Sequence, residues 1–193
     1  MEKEINSDYL LWKRIKAGET QAFQDLYMKY ADVLFSFGMI YSKDQELVKD
    51  SIHDLFFDLY KYRKNLSDND HIRNYLFKSL KRKIQLAQKA KLKLVYTNEI
   101  RDEAEGKGGF LMSETEDLTE ENLKEIQQAV DKLSEHQQEV LKLRFQIGLS
   151  YDEVARILDI SVESVRTLVY RTIKLLREQL KTKNNTVVLL FYI

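Results

Sequence analysis

The chain has 193 residues, 44% hydrophobic and 32% charged, enough for one domain or two small ones and too apolar for a disordered protein. The absence of cysteine excludes disulfides and thiolate metal sites and suits a reducing compartment, and without proline nothing covalent interrupts a helix. The 31 basic and 31 acidic residues cancel in total but are segregated along the chain. Eleven Lys/Arg face two Asp between Lys61 and Lys93, and ten acidic residues face three basic ones between Glu99 and Glu125. Six Lys/Arg face two Glu between Val162 and Lys183, so two basic segments flank an acidic one and patches matter more than net charge. The opening Met1-Glu-Lys-Glu-Ile5 lacks the apolar run of a secretory signal, and no stretch is long enough to span a membrane. A cytoplasmic protein is expected.

Helical periodicity predicts an all-α chain of two small helical domains joined by a flexible acidic linker. A short helix over about Asp8–Lys16 leads through Gly18-Glu-Thr into a helix with Phe23, Leu26, Tyr27, Tyr30, Leu34 and Phe37 on one face. After a turn near Tyr41–Asp44, a third helix carries the apolar stripe Val48, Ile52, Leu55, Phe56 and Leu59. Opposite that stripe, Asp50, Asp54 and Asp58 recur at i, i+4 and i+8. Like charges at this spacing weaken an isolated helix, so such a face suits a basic partner, with plain solvation as the alternative. Asn65–Asp70 is a polar loop. The fourth helix, about His71–Leu94, buries Ile72, Tyr75, Leu76 and Leu80 while carrying the cations Lys78, Lys81, Arg82 and Lys83. Cations neutralise phosphates, and Tyr75 and Phe77 beside them either stack on bases expelled from an opening duplex or belong to the core. These helices make an N-terminal domain over 8–95.

Residues 96–117 hold three of the six glycines and most of the acidic run, which predicts a self-repelling linker. A second helical unit over 118–183 begins with the stripe Leu123, Ile126, Val130 and Leu133 and a capping box at Ser134/Gln137. Another box, Ser150/Glu153, starts a helix over Tyr151–Leu158, and only Asp159-Ile160-Ser161 separate it from a further helix that Ser161 caps. A turn so short makes the two helices cross steeply, the helix-turn-helix geometry that presents the second helix to a DNA groove. In that helix Val165, Leu168, Val169, Ile173, Leu176 and Leu180 face the core, while Arg166, Thr167, Tyr170, Arg171, Lys174 and Arg177 form a polar, cationic ridge. The tail over 184–193 ends in seven apolar residues, too few for a membrane anchor, and has no assigned role.

Enzymatic chemistry finds no support. His53, His71 and His136 are far apart, with no metal-ligand spacing, and no phosphate-binding glycine loop or nucleophile elbow is present. No catalytic residue, metal, cofactor or small-molecule substrate is expected.

Several stretches resemble the extracytoplasmic-function (ECF) sigma factors, a class of the major bacterial sigma family, and the resemblance runs from about Ala22 to Leu180. Ala22-Phe-Gln-Asp-Leu-Tyr-Met-Lys-Tyr30 is similar to the family's opening A-F-x-x-L-Y-x-x-Y helix. Lys49-Asp-Ser-Ile-His-Asp-Leu-Phe-Phe57 resembles the E-D-L-V-Q-E-V-F stretch, and Gly148-Leu-Ser-Tyr-Asp-Glu-Val-Ala-Arg-Ile-Leu158 matches G-L-S-Y-x-E-I-A-x-x-L. Tyr75–Lys83 resembles the helix that engages the -10 promoter element, and the wording of Val165–Arg171 resembles versions from Bacteroidota.

The resemblance implies a region 2-like domain over 8–95 and a region 4-like domain over 118–183. Its implied partners are core RNA polymerase, through the β′ clamp helices and the β flap, promoter DNA, and a membrane-anchored anti-sigma factor of the kind the family often has. The polymerase contacts would be Asp50, His53, Asp54, Phe57 and Asp58. Lys78, Lys81, Arg82 and Lys83, with Asn69 in the preceding loop, would hold the -10 strand, and Ser164, Arg166, Thr167, Tyr170, Arg171 and Lys174 would meet the -35 duplex. Three positions depart from the pattern: Asp159 where a turn glycine is common, His53 for a frequent Gln, and Leu168 at a position often polar or basic. An operator-binding regulator is the alternative, but it accounts for the helix-turn-helix alone and not for the acidic face or the basic helix.

Overall fold

The computed structural model describes residues 2–66, 72–97 and 120–180. Most of the expected linker, Asn69 and the apolar tail lie outside the described residues. The chain divides into two compact units, 1–108 and 109–193. Every regular element among the described residues is helical, as the periodicity predicts.

In the N-terminal unit, α1 (Glu2–Ala17), α2 (Thr20–Tyr41), α3 (Gln45–Lys61) and α4 (Ile72–Thr97) follow in order. Thus α1 begins six residues before the expected Asp8, and α4 runs past Leu94 into the stretch assigned to the linker. Gly18, at φ 87°, makes the left-handed turn between α1 and α2. Asp44 starts α3: its carboxylate accepts the Leu47 N–H at 3.1 Å and the Lys91 ammonium at 2.9 Å. The Lys91 hydrogen bond first, and the backbone donor second, hold this carboxyl below its usual range.

Trp12 and Ile15 of α1, Leu34 and Phe37 of α2, Leu55 and Leu59 of α3, and Leu76 and Ile84 of α4 are all buried in one core. Asp8 ties α1 to α2, accepting the Tyr30 hydroxyl at 2.7 Å and the Lys29 ammonium at 2.6 Å. Gly38 marks the closest approach of α2 to its neighbours. A Cβ there would sit 2.5 Å from Val48 Cγ1 and 3.3 Å from Ile84 Cδ1. Overpacking costs about 1–3 kcal/mol and the gain in helix propensity returns at most about 1. Gly38→Ala therefore lowers stability by about 1–2 kcal/mol, read as a lower urea midpoint at unchanged m-value.

Three expected core aromatics move to the surface. Tyr27 is 39% exposed, and Phe23 and Phe56 are half-buried. They line the α2–α3 seam as edge-on pairs, Phe23 with Tyr60 at 5.1 Å and Tyr27 with Phe56 at 4.9 Å. The apolar arc of α2 is wider than the contact its neighbours make, so of the expected face Leu26, Tyr30, Leu34 and Phe37 reach the interior, together with Ala22 and Gly38. Phe77 moves the other way. It is fully buried, 4.5 Å from the Phe37 ring, and is not available to stack on a base. Tyr75 is half-buried, edge-on to Trp12 at 5.4 Å.

The C-terminal unit contains α5 (Glu120–Asp131), α6 (Glu135–Leu141), α7 (Tyr151–Leu158) and α8 (Val162–Gln179). Both expected capping boxes form, Ser134 with Gln137 and Ser150 with Glu153, and the Ser161 hydroxyl accepts the Ser164 N–H. A π-helical stretch over Lys142–Gln146, closed by Ile147 N–H to Lys142 C=O at 3.0 Å, follows α6 and has no counterpart in the sequence reading. Ile126, Val130 and Leu133 of the expected stripe are buried. In α8, Val165, Val169, Leu176 and the following Leu180 are buried, whereas Leu168 and Ile173 are only half-buried. Thr172 takes the interior place instead, its hydroxyl satisfied by the Leu168 carbonyl at 2.7 Å.

The turn between α7 and α8 depends on Asp159, at φ 55° and ψ 41°. This is the left-handed conformation that a turn glycine adopts without penalty and that Asp tolerates better than most residues. Asp159→Ala should cost about 1 kcal/mol, while Asp159→Gly stays within about 0.5 kcal/mol of the native chain. Thermal unfolding of the pair gives the ranking directly.

Candidate nucleic-acid interface

The outward face of α8 follows from its inward one. With Val165, Val169, Thr172 and Leu176 buried, Arg166, Thr167, Tyr170, Arg171, Lys174 and Arg177 are exposed, Tyr170 by 69%. Six expected -35 residues thus share one helix, although Ser164 is partly committed: its hydroxyl lies 2.8 Å from that of Ser161 at the cap. Arg166 donates to Glu163 at 3.3 Å, and Lys174 lies 4.0 Å from Glu178. Such exposed pairs are worth at most about 1 kcal/mol, weak enough for a phosphate to displace them.

Two residues that periodicity did not single out stand behind this ridge. The Tyr151 ring, at the first position of α7, has the Arg144 guanidinium 4.9 Å from its centroid and that of Arg166 5.9 Å away. Arg144 also donates to the Leu149 carbonyl at 3.1 Å. Tyr151 therefore stands between the π-helical stretch and α8, with a guanidinium from each within cation–π distance of its ring. A capping box announces a helix start but not which ring will lie beneath a distant arginine.

On α3, Asp50, His53 and Asp54 are exposed, and Phe57 is 63% exposed with the Lys61 ammonium 5.9 Å from its ring. Asp58 leaves this row. Its carboxylate accepts the Lys83 ammonium of α4 at 2.6 Å. At about 100° per residue, i+8 is rotated by about 80° from i, which carries Asp58 round the helix towards α4. The four α4 cations are correspondingly unlike one another. Lys78 and Arg82 are exposed, Lys81 is half-buried with its ammonium 5.1 Å from the Tyr41 ring, and Lys83 is held by Asp58. The expected open acidic row and uniform basic cluster are both interrupted at the point where the two helices touch.

Among the described residues no group of three or more His, Asp or Glu is placed to hold a metal ion. No described helix is long and apolar enough to cross a membrane.

Residues 123–176 match the family "Sigma-70, region 4", a span that contains α6, α7 and most of α8. The chain is similar in fold to CnrH, solved in complex with the cytosolic domain of CnrY. That match has 19% identity and a TM-score of 0.61, covering 91% of this chain and 98% of CnrH. It is also similar to the sigma factor RpoE of Bartonella quintana, solved in complex with the anti-sigma factor NepR. Here identity is 18% and the TM-score 0.56, covering 83% of this chain and 99% of RpoE. No curated protein sequence matches the chain. The C-terminal unit thus carries a match to region 4 of the sigma-70 family, and the chain shares the fold of the solved sigma factor RpoE.

Proposed function

We propose that the protein is of the extracytoplasmic-function class and places core RNA polymerase at two-element promoters. In this reading 8–95 acts as region 2, 118–183 as region 4, and the acidic 96–117 as the linker between them. The exposed α3 residues Asp50, His53, Asp54 and Phe57 meet the β′ clamp helices. Lys78, Lys81 and Arg82, with Asn69, hold the melted -10 strand. The region 4 unit sits on the β flap and reads the -35 duplex through Arg166, Thr167, Tyr170, Arg171 and Lys174, with Ser164 at the helix start. The observation that carries this is α8: a capped helix-turn-helix whose second helix buries one face and exposes a continuous cationic ridge on the other. Arginine at such a ridge reads guanine edges or phosphates.

Like RpoE, which is bound by NepR, the protein is proposed to have an anti-sigma partner, and to work in the cytoplasm as a regulator rather than an enzyme. Run-off transcription with core polymerase on genomic promoter fragments tests the central claim. Specific transcripts are expected only with the protein present, and no initiation above core alone would sink it.

A further inference from the structure

Lys83 and Asp58 stand on faces that the proposed function gives to different partners, yet their charges meet at 2.6 Å. The lysine side chain is 25% exposed and the aspartate side chain 45%, so both remain within reach of a partner from outside. Asp50 and Asp54, by contrast, are exposed on α3. A carboxylate and an ammonium in hydrogen-bond contact cannot each serve an external ion at full strength. A phosphate arriving at Lys83 must compete with Asp58, and a cation arriving at Asp58 must compete with Lys83.

We propose that the Asp58–Lys83 pair is an exchange switch coupling the polymerase-facing surface of α3 to the strand-binding surface of α4. In the isolated protein, Asp58 neutralises Lys83 and discounts its attraction for a nucleic-acid phosphate. When a basic segment of polymerase covers α3, its cation takes over Asp58 and releases Lys83 to the DNA strand. Linkage makes the effect reciprocal, so a phosphate on Lys83 frees Asp58 for polymerase. Asp58 is thus a positioning residue that acts through Lys83. Because solvent still reaches the pair, the coupling should be about three- to tenfold and no larger. The switch rests on the assignment of α3 to polymerase and α4 to DNA made above.

Binding of a fluorescent single-stranded oligonucleotide of mixed sequence to the full chain, followed by anisotropy across a salt series, provides the test. Asp58→Asn should bind about three- to tenfold tighter than the native chain, with a salt slope steeper by about 0.7, the increment for one further phosphate contact on a single strand. Lys83→Gln and the double variant Asp58→Asn/Lys83→Gln should bind alike, since Asp58 acts only through Lys83. Asp32→Asn removes the same charge from an exposed position on α2 and should change binding by less than about 1.5-fold. In a second measurement, the oligonucleotide should tighten binding to core polymerase about three- to tenfold less for the Asp58 and Lys83 variants than for the native chain.

A folded Asp58→Asn variant that binds the strand no better than the native chain overturns the switch. So does a gain that persists in the Lys83→Gln background. If the native chain fails to bind core polymerase at all, the switch and the assignment beneath it fall together. Core binding combined with an additive Asp58/Lys83 cycle removes the switch alone.

Discussion

Replacing Arg166 and Arg171 together by Glu should reduce -35-dependent transcription by about 100-fold or more while leaving core polymerase binding within about twofold. Each reversal removes a charge-assisted contact worth about 1–3 kcal/mol and adds repulsion from the phosphates, so the pair together exceeds the 2.7 kcal/mol that corresponds to 100-fold. Neither change should disturb the fold. Both side chains are exposed on α8, opposite the buried Val165, Val169, Thr172 and Leu176. Arg166 gives up its hydrogen bond to Glu163 and its place over Tyr151, surface contacts whose loss costs about 0.5 kcal/mol each. The readout is run-off transcription on paired templates with an intact and a scrambled -35 element, alongside far-UV circular dichroism. An equal loss on both templates would place the defect elsewhere than in -35 reading.

Reversing Asp50 and Asp54 to Lys should have the opposite signature. Core polymerase binding should weaken by about 100-fold, because two charges set against a basic partner become repulsive, at about 2–3 kcal/mol in total. Binding of the -35 duplex should be unchanged. Helix α3 should tolerate the exchange, since one like-charge i, i+4 pair replaces another and Lys is the better helix former of the two residues. Asp58 is left in place because its carboxylate is occupied by Lys83, so its reversal would disturb α4 as well. Pull-down with core polymerase at several salt concentrations gives the answer. Native-like core binding by the double variant would move the polymerase contact off this face.

Together the two variants separate a sigma factor from an operator-binding regulator. A regulator would lose its function through α8 alone, and nothing would follow from α3. Opposite, independent losses are expected only of a protein with two contact surfaces for two partners.

The helices, the serine-capped starts and the helix-turn-helix were legible in the sequence because the forces that set them are local. Ser134, Ser150 and Ser161 cap helices through hydrogen bonds to residues three positions on, and Asp159 is a residue that tolerates the left-handed turn. The exposed ridge of α8 follows from the 3.6-residue period within one helix. What needed the tertiary structure was which arc of each helix meets a neighbour. Tyr27 and Phe77 are both aromatic and both on apolar stripes, yet one is 39% exposed and the other fully buried, because Phe77 reaches Phe37 and Tyr27 lies at the rim of the seam. The Tyr151 contact with Arg166 and the Asp58–Lys83 pair likewise join residues by packing, at separations in sequence that no periodicity relates. Local hydrogen bonding and helical period named the parts proposed to meet DNA; the packing of α3 on α4 decided which charges are paired within the protein and which are left exposed.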